Sequence, residues 1–350
     1  MTRSPAPVVL TPLLGMPEVR PGDDLASLVL DAVSANGMAL CDGDLLVVSS
    51  KVASKALGLT APAGDRAATV LGQARRVVAE RDTPLGVTRV VESVAGPVMA
   101  AAGVDASNTG ADDVVLLLPQ DPDAVARDLR EAILRRTPGV TVGVVLSDTA
   151  GRPWRVGQTD FALGSAGVRL VDDLRGGHDA DGRPLSVTER CVGDEIAAAA
   201  DLVKGKASGV PVALVRGLAA VTPGNVAPGA RSLVRTGPSD WFGSGRVEAV
   251  RAALGVEAGT DLAAEVGIPS ALPEPTAVRL ERAGRVALLG VGGVTACAGP
   301  DGVTLDGDDA FTLGVAASRL AVALQGGGLS ATVGRPPTSG AHRQVRVTLG

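Results

Sequence analysis

The longest stretches of this chain without a charged residue, Val286 to Pro300 and Leu320 to Gly334, run 15 residues each and are interrupted by glycines. A membrane-spanning helix needs roughly 18 to 20 apolar residues, so no membrane partner is expected and the apolar residues must be buried in many short elements. There are enough of them to make a core. Of 350 residues, 45% are hydrophobic and 20% charged, and the mean hydropathy is +0.27, a balance that favours folding over an open chain. The length exceeds what one ordinary core holds, so two domains, or one with a large insertion, are expected. Met1 to Pro7 lacks a basic region followed by an apolar stretch and a cleavage site, and the expected compartment is the cytoplasm.

The net charge is −5, which supplies no field for a phosphate backbone. With two tryptophans, three phenylalanines and no tyrosine there is no stacking platform for bases either, and nucleic acid is excluded as a partner. Cys41, Cys191 and Cys297 are far apart, without a CxxC pair or a histidine at ligand spacing. They read as buried small hydrophobes rather than as disulfide or zinc partners.

Basic residues are more informative. Among 33 lysines and arginines only Lys51, Lys55, Lys204 and Lys206 are lysine, so generic surface charge here is written as arginine. The lysines fall in two short motifs, Ser49 to Lys55 and Lys204 to Lys206. A compact ammonium differs from a guanidinium where it must meet a phosphate or a reacting group, which makes both motifs candidates for chemistry; solvated charge is the alternative.

Apolar spacing organises the rest. Asp23 and Asp24 can cap a helix whose Leu25, Leu28, Val29, Ala32 and Val33 share one face. Strands are expected over Asp44 to Ser49, Val114 to Leu118, Val140 to Leu146 and Val210 to Arg216, with helices over Arg66 to Glu80, Asp123 to Arg136 and Asp194 to Val203. Glycine and proline cluster from Gly217 to Gly245, the best candidate linker. Beyond it come a helix near Gly245 to Leu254, a hairpin region around Ala287 to Leu305 and a helix over Asp308 to Leu324. These elements make a mixed α and β chain, with domains at residues 1–245 and 246–350.

Neither common phosphate-cradling glycine loop occurs. Asp301 to Asp309 lacks calcium-loop spacing and reads as a turn with a helix cap; His178, in a Gly/Asp-rich segment, reads as part of a polar turn. Two acidic clusters carry more. The apolar run ending at Leu146 leads into Ser147-Asp148-Thr149, then Arg152 and Arg155 flank Trp154. Ends of strands are where open sheets place ligands. The second cluster is Asp105-Ala106-Ser107-Asn108, after a small-residue stretch. Carboxylate, amide and hydroxyl oxygens suit magnesium or manganese. The chain thus offers acids for a hard metal, lysines for phosphate, and Arg152 and Arg155 for an acidic substrate.

Five segments, GMPEVRPGDD (Gly15 to Asp24), SKVASK (Ser50 to Lys55), GVDASN (Gly103 to Asn108), SDTAGRPWRVGQTD (Ser147 to Asp160) and DEIAAAADLVKGK (Asp194 to Lys206), together resemble the coenzyme F-420-0:L-glutamate ligase (gamma-glutamyl ligase) family. They run in order over roughly residues 8 to 240. The resemblance implies an α+β fold of largely antiparallel sheets with helices, in two intertwined subdomains that dimerise. It implies GTP-dependent addition of L-glutamate to the phospholactate side arm of coenzyme F-420-0, through an acyl phosphate. It implies two divalent ions, magnesium or manganese, with potassium as a further candidate. Met16, Pro17, Glu18 and Val19 would line the guanine nucleotide, with Ser50, Lys55 and Asn108 touching it. Asp105 and Asp148 would hold one metal and Thr149 the other, so these three are the catalytic candidates.

The chain departs from the family in two places. Between Glu92 and Ala102 the family usually carries a basic residue where this chain reads Ser93-Val94-Ala95-Gly96-Pro97-Val98. Relatives with a second, flavin-dependent nitroreductase-like domain are longer after the ligase part; here Phe311 to Val333 resembles one helix of that domain, a degenerate remnant is one reading of the extension, and no bound flavin is expected. Two other functions stay open: a non-catalytic module that binds GTP or the deazaflavin precursor, and a bifunctional ligase and reductase.

Overall fold

The structure, a computed structural model, describes residues 7–107, 109, 113–224, 228–235, 237–334 and 343–350. In chain order the elements are β1 (Val9–Pro12), α1 (Leu25–Ala35), β2 (Leu45–Ser49), α2 (Ser50–Ala56), β3 (Thr60–Pro62), α3 (Arg66–Gly72), β4 (Ala74–Thr83), β5 (Gly86–Ser93), β6 (Val98–Ala100), β7 (Val114–Leu116), α4 (Pro122–Arg136), β8 (Gly143–Arg152), β9 (Arg155–Ala166), β10 (Val171–Asp173), β11 (Glu189–Cys191), α5 (Val192–Lys204) and β12 (Val212–Arg216). They continue with α6 (Arg246–Ala253), α7 (Asp261–Val266), α8 (Thr276–Leu288), β13 (Val294–Gly299), β14 (Gly302–Gly307), α9 (Ala310–Gly326), β15 (Ala331–Val333) and β16 (Arg343–Leu349). Sheets are mostly antiparallel and helices accompany them, as expected of an α+β chain.

Two compact units divide the chain. The first holds residues 1–73 and 93–235, the second residues 74–92 and 236–350. Composition placed a boundary near Gly245, whereas the second unit also takes in β4 and nearly all of β5.

The first unit is built on a five-stranded sheet in the order β1-β12-β2-β8-β9, in which β2 and β8 are the parallel pair. Leu45, Leu46, Val47 and Val48 of β2 are all fully buried, because helices cover both faces, the situation that favours an unbroken apolar strand. Leu46 and Val48 pack with α1, α2 and α4 through Val29, Ala53 and Ile133. Leu45 and Val47 face the other way, with Ile196 and Ala200 of α5. Each fully buried leucine contributes about 1.5–3 kcal/mol relative to exposure. Asp24 caps α1 by accepting from Ser27 N–H at 3.2 Å, and Asp121 caps α4 through Ala124 N–H at 2.9 Å.

The second unit has an antiparallel sheet, β13-β14-β16-β15, whose Val303, Leu305, Val345 and Val347 pack with Leu280 of α8 and Leu313, Ala317 and Leu320 of α9. Asp309 caps α9 by accepting from Thr312 N–H at 2.7 Å, as expected, but the segment before it is not a turn: Gly302–Gly307 is strand β14, paired with β13 and β16.

Three further sequence expectations differ from the structure. The helix expected over Arg66 to Glu80 ends at Gly72, and Ala74 to Thr83 is a strand; Arg75-Arg76-Val77-Val78 is compatible with helical spacing, but its valines meet the pairing needs of β5 instead. The strand expected over Val140 to Leu146 starts at Gly143 and runs on to Arg152. The cysteines are all free and none is buried: Cys41 and Cys297 are exposed, the latter on the edge strand β13.

Candidate active site

β2 and β8 run side by side from the pair Leu45 and Gly143 to the pair Ser49 and Ser147. There β2 turns directly into α2, while β8 continues beyond the sheet as a ribbon with β9, Thr149 opposite Asp160. Asp148 is the first residue of β8 past its last β2 partner. Side chains alternate along a strand, so Asp148 is directed to the α2 face and Ser147 and Thr149 to the α5 face. Around this corner lies a cleft of about 390 Å³, lined by all four lysines of the chain and by Glu18, Asp105, Asp148, Asp160 and Asp201.

On the α2 side, Ser50 Oγ donates to Asp148 Oδ1 at 3.0 Å. Lys51 and Lys55 are one helical turn apart and share a face. Lys51 Nζ lies 2.7 Å from Asp105 Oδ2 and donates to Ser107 Oγ at 2.6 Å; Lys55 pairs with Glu18 of the β1–α1 loop. Asp105 follows Ala101, Ala102 and Gly103, all with positive φ, a strained presentation. At Gly103 a Cβ would run into Leu118, so glycine is required there. Backbone bonds in both directions with Leu116, 3.1 and 2.8 Å, fix Asp105 in place.

On the α5 side, Asp160 is the hub. Its carboxylate accepts from Ser147 Oγ at 2.8 Å, Thr149 Oγ1 at 2.6 Å and Lys204 Nζ at 2.9 Å. Lys204, in the last turn of α5, is 3% exposed and also donates to Ser147 Oγ at 2.6 Å. Gly205 then reverses the chain at φ +64, which returns Lys206 Nζ to 3.3 Å from Thr149 Oγ1.

The three central acids have different electrostatic surroundings. Burial pushes the Asp148 carboxyl up to about 6, reinforced by the Asp160 charge and only partly offset by Ser50 and Lys206. Burial also acts to raise Asp105, but Lys51 and the Ser107 N–H and hydroxyl outweigh it and hold its carboxyl below the usual range. Asp160 likewise ends below that range, because Lys204, Thr149 and Ser147 outweigh its burial.

Sequence comparison supplies the deciding observation. The model of the F420-0:gamma-glutamyl ligase family matches residues 14–217, a span that contains every residue lining the cleft. This chain belongs to the F420-0:gamma-glutamyl ligase family. The coenzyme F420:L-glutamate ligase of Haloarcula marismortui is 40% identical over 229 residues, covering 58% of this chain and 84% of the relative. That of Methanopyrus kandleri is 38% identical over 242 residues, covering 64% and 93%. A third, from Halobacterium salinarum, is 39% identical over 223 residues, covering 58% and 84%.

In this family member the structure brings together Met16, Pro17, Glu18, Val19, Lys55, Asp105, Asp148 and Thr149, all of which line the cleft, with Ser50 bonded to Asp148 beneath it. Asn108 lies outside the described residues. Arg152 and Arg155 are not brought to the cleft: both are exposed at the tip of the β8–β9 ribbon. His178 is exposed in a loop, away from the cleft lining.

The donor chemistry suits a divalent cation. Carboxylate and hydroxyl oxygens are hard ligands, and Asp148 is a half-buried acid whose charge Lys206 only partly offsets, which a bound cation would correct. Among the described residues, no three His, Cys, Asp or Glu side chains form a metal cage, so waters or substrate oxygens would complete any coordination. In the 93–98 segment, where the family usually has a basic residue, Arg231 provides a guanidinium: its Nη2 donates to Val94 O at 2.7 Å. Sequence reasoning missed Asp160 as the hub and Arg231 as the nearby cation. The signals for Asp160 were its place at the end of the Ser147 to Asp160 segment and an acid that precedes the apolar run Phe161-Ala162-Leu163.

Proposed function

We propose that this chain catalyses GTP-dependent ligation of L-glutamate to the phospholactate arm of coenzyme F-420-0, as a step in coenzyme F-420 biosynthesis. The observation that carries the reading is the convergence of all four lysines on one acid-bearing cleft, in a chain that otherwise uses arginine. The relatives, named as coenzyme F420:L-glutamate ligases, support the same substrate class.

In this reading the β1–α1 loop, Met16 to Val19, receives the guanine base, and Lys51, Lys55 and Lys206 face the phosphates. The substrate carboxylate oxygen bonds to the γ-phosphorus as the bond to the β–γ bridging oxygen breaks, giving an acyl phosphate and GDP. The glutamate amine then attacks the acyl carbon, inorganic phosphate leaves, and the amine gives up its proton as the amide forms. Asp105 and Asp148 would hold one divalent ion and Thr149 would serve a second; bound there, such ions neutralise the phosphate charge. Lys204 holds Asp160, and through it Ser147 and Thr149, in place. Magnesium or manganese, potassium as a further cation, and assembly as a homodimer belong to the same proposal; light scattering measures the last.

Mass spectrometry of coenzyme F-420-0 incubated with the full chain, GTP, glutamate and magnesium or manganese tests this reading. Added glutamyl units support it. GTP binding without any added unit would instead make the chain a binding module.

A further inference from the structure

A cavity of about 290 Å³ lies within the second unit, bounded by α6, α8 and the C-terminal end of α9. Five arginines line it, Arg81, Arg246, Arg251, Arg279 and Arg282, against one lining carboxylate, Glu274. That acid is taken: Arg282 donates to it twice, Nη1 to Oε1 at 2.7 Å and Nη2 to Oε2 at 2.6 Å. Arg81 pairs with Glu248, which is buried outside the lining. Among the described residues, the other three guanidinium groups make no ion pair or hydrogen bond with a carboxylate, although Glu80 and Glu248 lie near Arg251 and Glu274 near Arg279.

Two of the three have a partial structural explanation. Cations favour the C-terminal end of a helix; Arg279 Nη2 donates to Gly327 O at 2.6 Å, just past α9, and Arg246 Nη2 approaches the same end at Gly328. Arg251 does not fit it. Arg246 is exposed and has no hydrogen-bond or ion-pair partner among the described residues. A Cβ built on Gly328 would lie 3.2 Å from Arg246 Nη2 and 3.5 Å from Arg279 Nη2, so these groups converge on one point. Arg251 is 7% exposed; its Nη2 reaches Ala263 O at 3.2 Å, but its Nε is buried without a partner. Burial acts against its charge, Glu80 and Glu248 favour it, and Arg282 and Arg81 oppose it by like-charge repulsion, so that it ends below the ordinary guanidinium range. Accessible apolar surface stands beside these cations at Val250 and Leu272, the latter 57% exposed.

A concave site with an apolar wall and convergent polar groups is the usual form of a small-molecule pocket, and guanidinium groups recognise carboxylate and phosphate through paired N–H donors. We propose that this cavity binds a small organic anion, a carboxylate or phosphate carried on an apolar body, with Arg246 and Arg279 at the charge and Val250 and Leu272 against the body.

Calorimetric titration of the full chain at low salt with phenyl phosphate, phenylacetate and inorganic phosphate tests the proposal. At least one organic anion is expected to bind about tenfold or more tightly than inorganic phosphate, and Arg246→Glu to weaken it by about tenfold or more. Which of the two binds separates phosphate from carboxylate as the natural head group. Arg246 is exposed, so this change spares the fold; Arg279→Gln is the second variant, with the same expected direction. Lys55→Ala, which alters only the cleft of the first unit, should leave this binding unchanged. The proposal is overturned if neither organic anion binds, if inorganic phosphate binds as well as they do, or if affinity survives Arg246→Glu.

Discussion

Lys204 and Asp160 form an ion pair at 2.9 Å with each side chain only 4% exposed. Removing one member leaves the other as an uncompensated buried charge, which typically costs about 3–5 kcal/mol, whereas losing both costs far less than twice that. Lys204→Met and Asp160→Asn should each lower the melting temperature of the protein, and the double variant should be closer to wild type than the worse single one. Thermal melts of the three variants decide it; additive losses would mean that the pair is not coupled.

Asp148→Asn should leave the fold intact, since an amide can still accept from Ser50, while reducing glutamylation by about a hundredfold or more, the scale on which single charged groups act in such sites. Steady-state rates measure this. A variant within a few-fold of wild type would remove Asp148 from the reaction.

The same residue gives the metal-free protein a particular response to pH. Its folded carboxyl titrates at about 6, above the ordinary 3.8, so its stabilising contribution is full below about 4 and is lost as pH rises through about 6. Asp105 and Asp160 are shifted downward and act in the opposite sense, but only at more acid pH. Between pH 7 and pH 5 chelator-treated wild type should therefore gain on the order of 1 kcal/mol from this group, and Asp148→Asn should not. Denaturant midpoints at the two pH values provide the comparison.

Lys55 pairs with Glu18, whose side chain is 70% exposed, an arrangement that contributes at most about 1 kcal/mol to stability. Lys55→Ala should melt close to wild type yet weaken GTP by about tenfold or more, because a lysine facing a polyphosphate makes charge-assisted contacts. Calorimetric titration of GTP with metal present is the measurement. Unchanged affinity would reduce Lys55 to surface charge.

A chain ending at Gly245 should lose solubility. Within the second unit, Glu80 of β4 is 2% exposed; its N–H donates to Glu248 at 3.1 Å, and its own Oε1 accepts from Gly259 N–H at 3.2 Å. Arg81 loses Glu248 as well. The soluble fraction after expression, compared with the full chain, is the test.

Legibility followed the range of the interactions. The cap at Asp24 and the apolar faces of α1, α4 and α5 are local patterns, readable from spacing alone, and the scarcity of lysine marked the cleft because composition needs no geometry. Asp160 was not readable as a hub, since its role arises only when β9 folds back on β8 and α5 delivers Lys204. The arginines flanking Trp154 misled for the same reason: adjacency to a reactive motif did not reveal that a ribbon carries them away from it. The helix read over Arg66 to Glu80 failed after Gly72, because β4, from Ala74, carries Arg76 and Arg81, whose partners Asp240 and Glu248 lie far along the chain.

The assignment of residues 74–92 to the second unit has a consequence for the order in which the protein is made. Synthesis runs from the amino terminus, and domains generally fold as units as they emerge. Here the β4–β5 hairpin leaves the ribosome early, while Glu248 and Gly259, which secure Glu80, arrive after the first unit is complete. The nascent chain must therefore carry an unfinished hairpin, with an acid destined for burial, while residues 93 to 259 are made. Slowing translation after residue 235 should lengthen that interval and increase capture by chaperones or loss to proteases, even though no residue of the ligase cleft has changed.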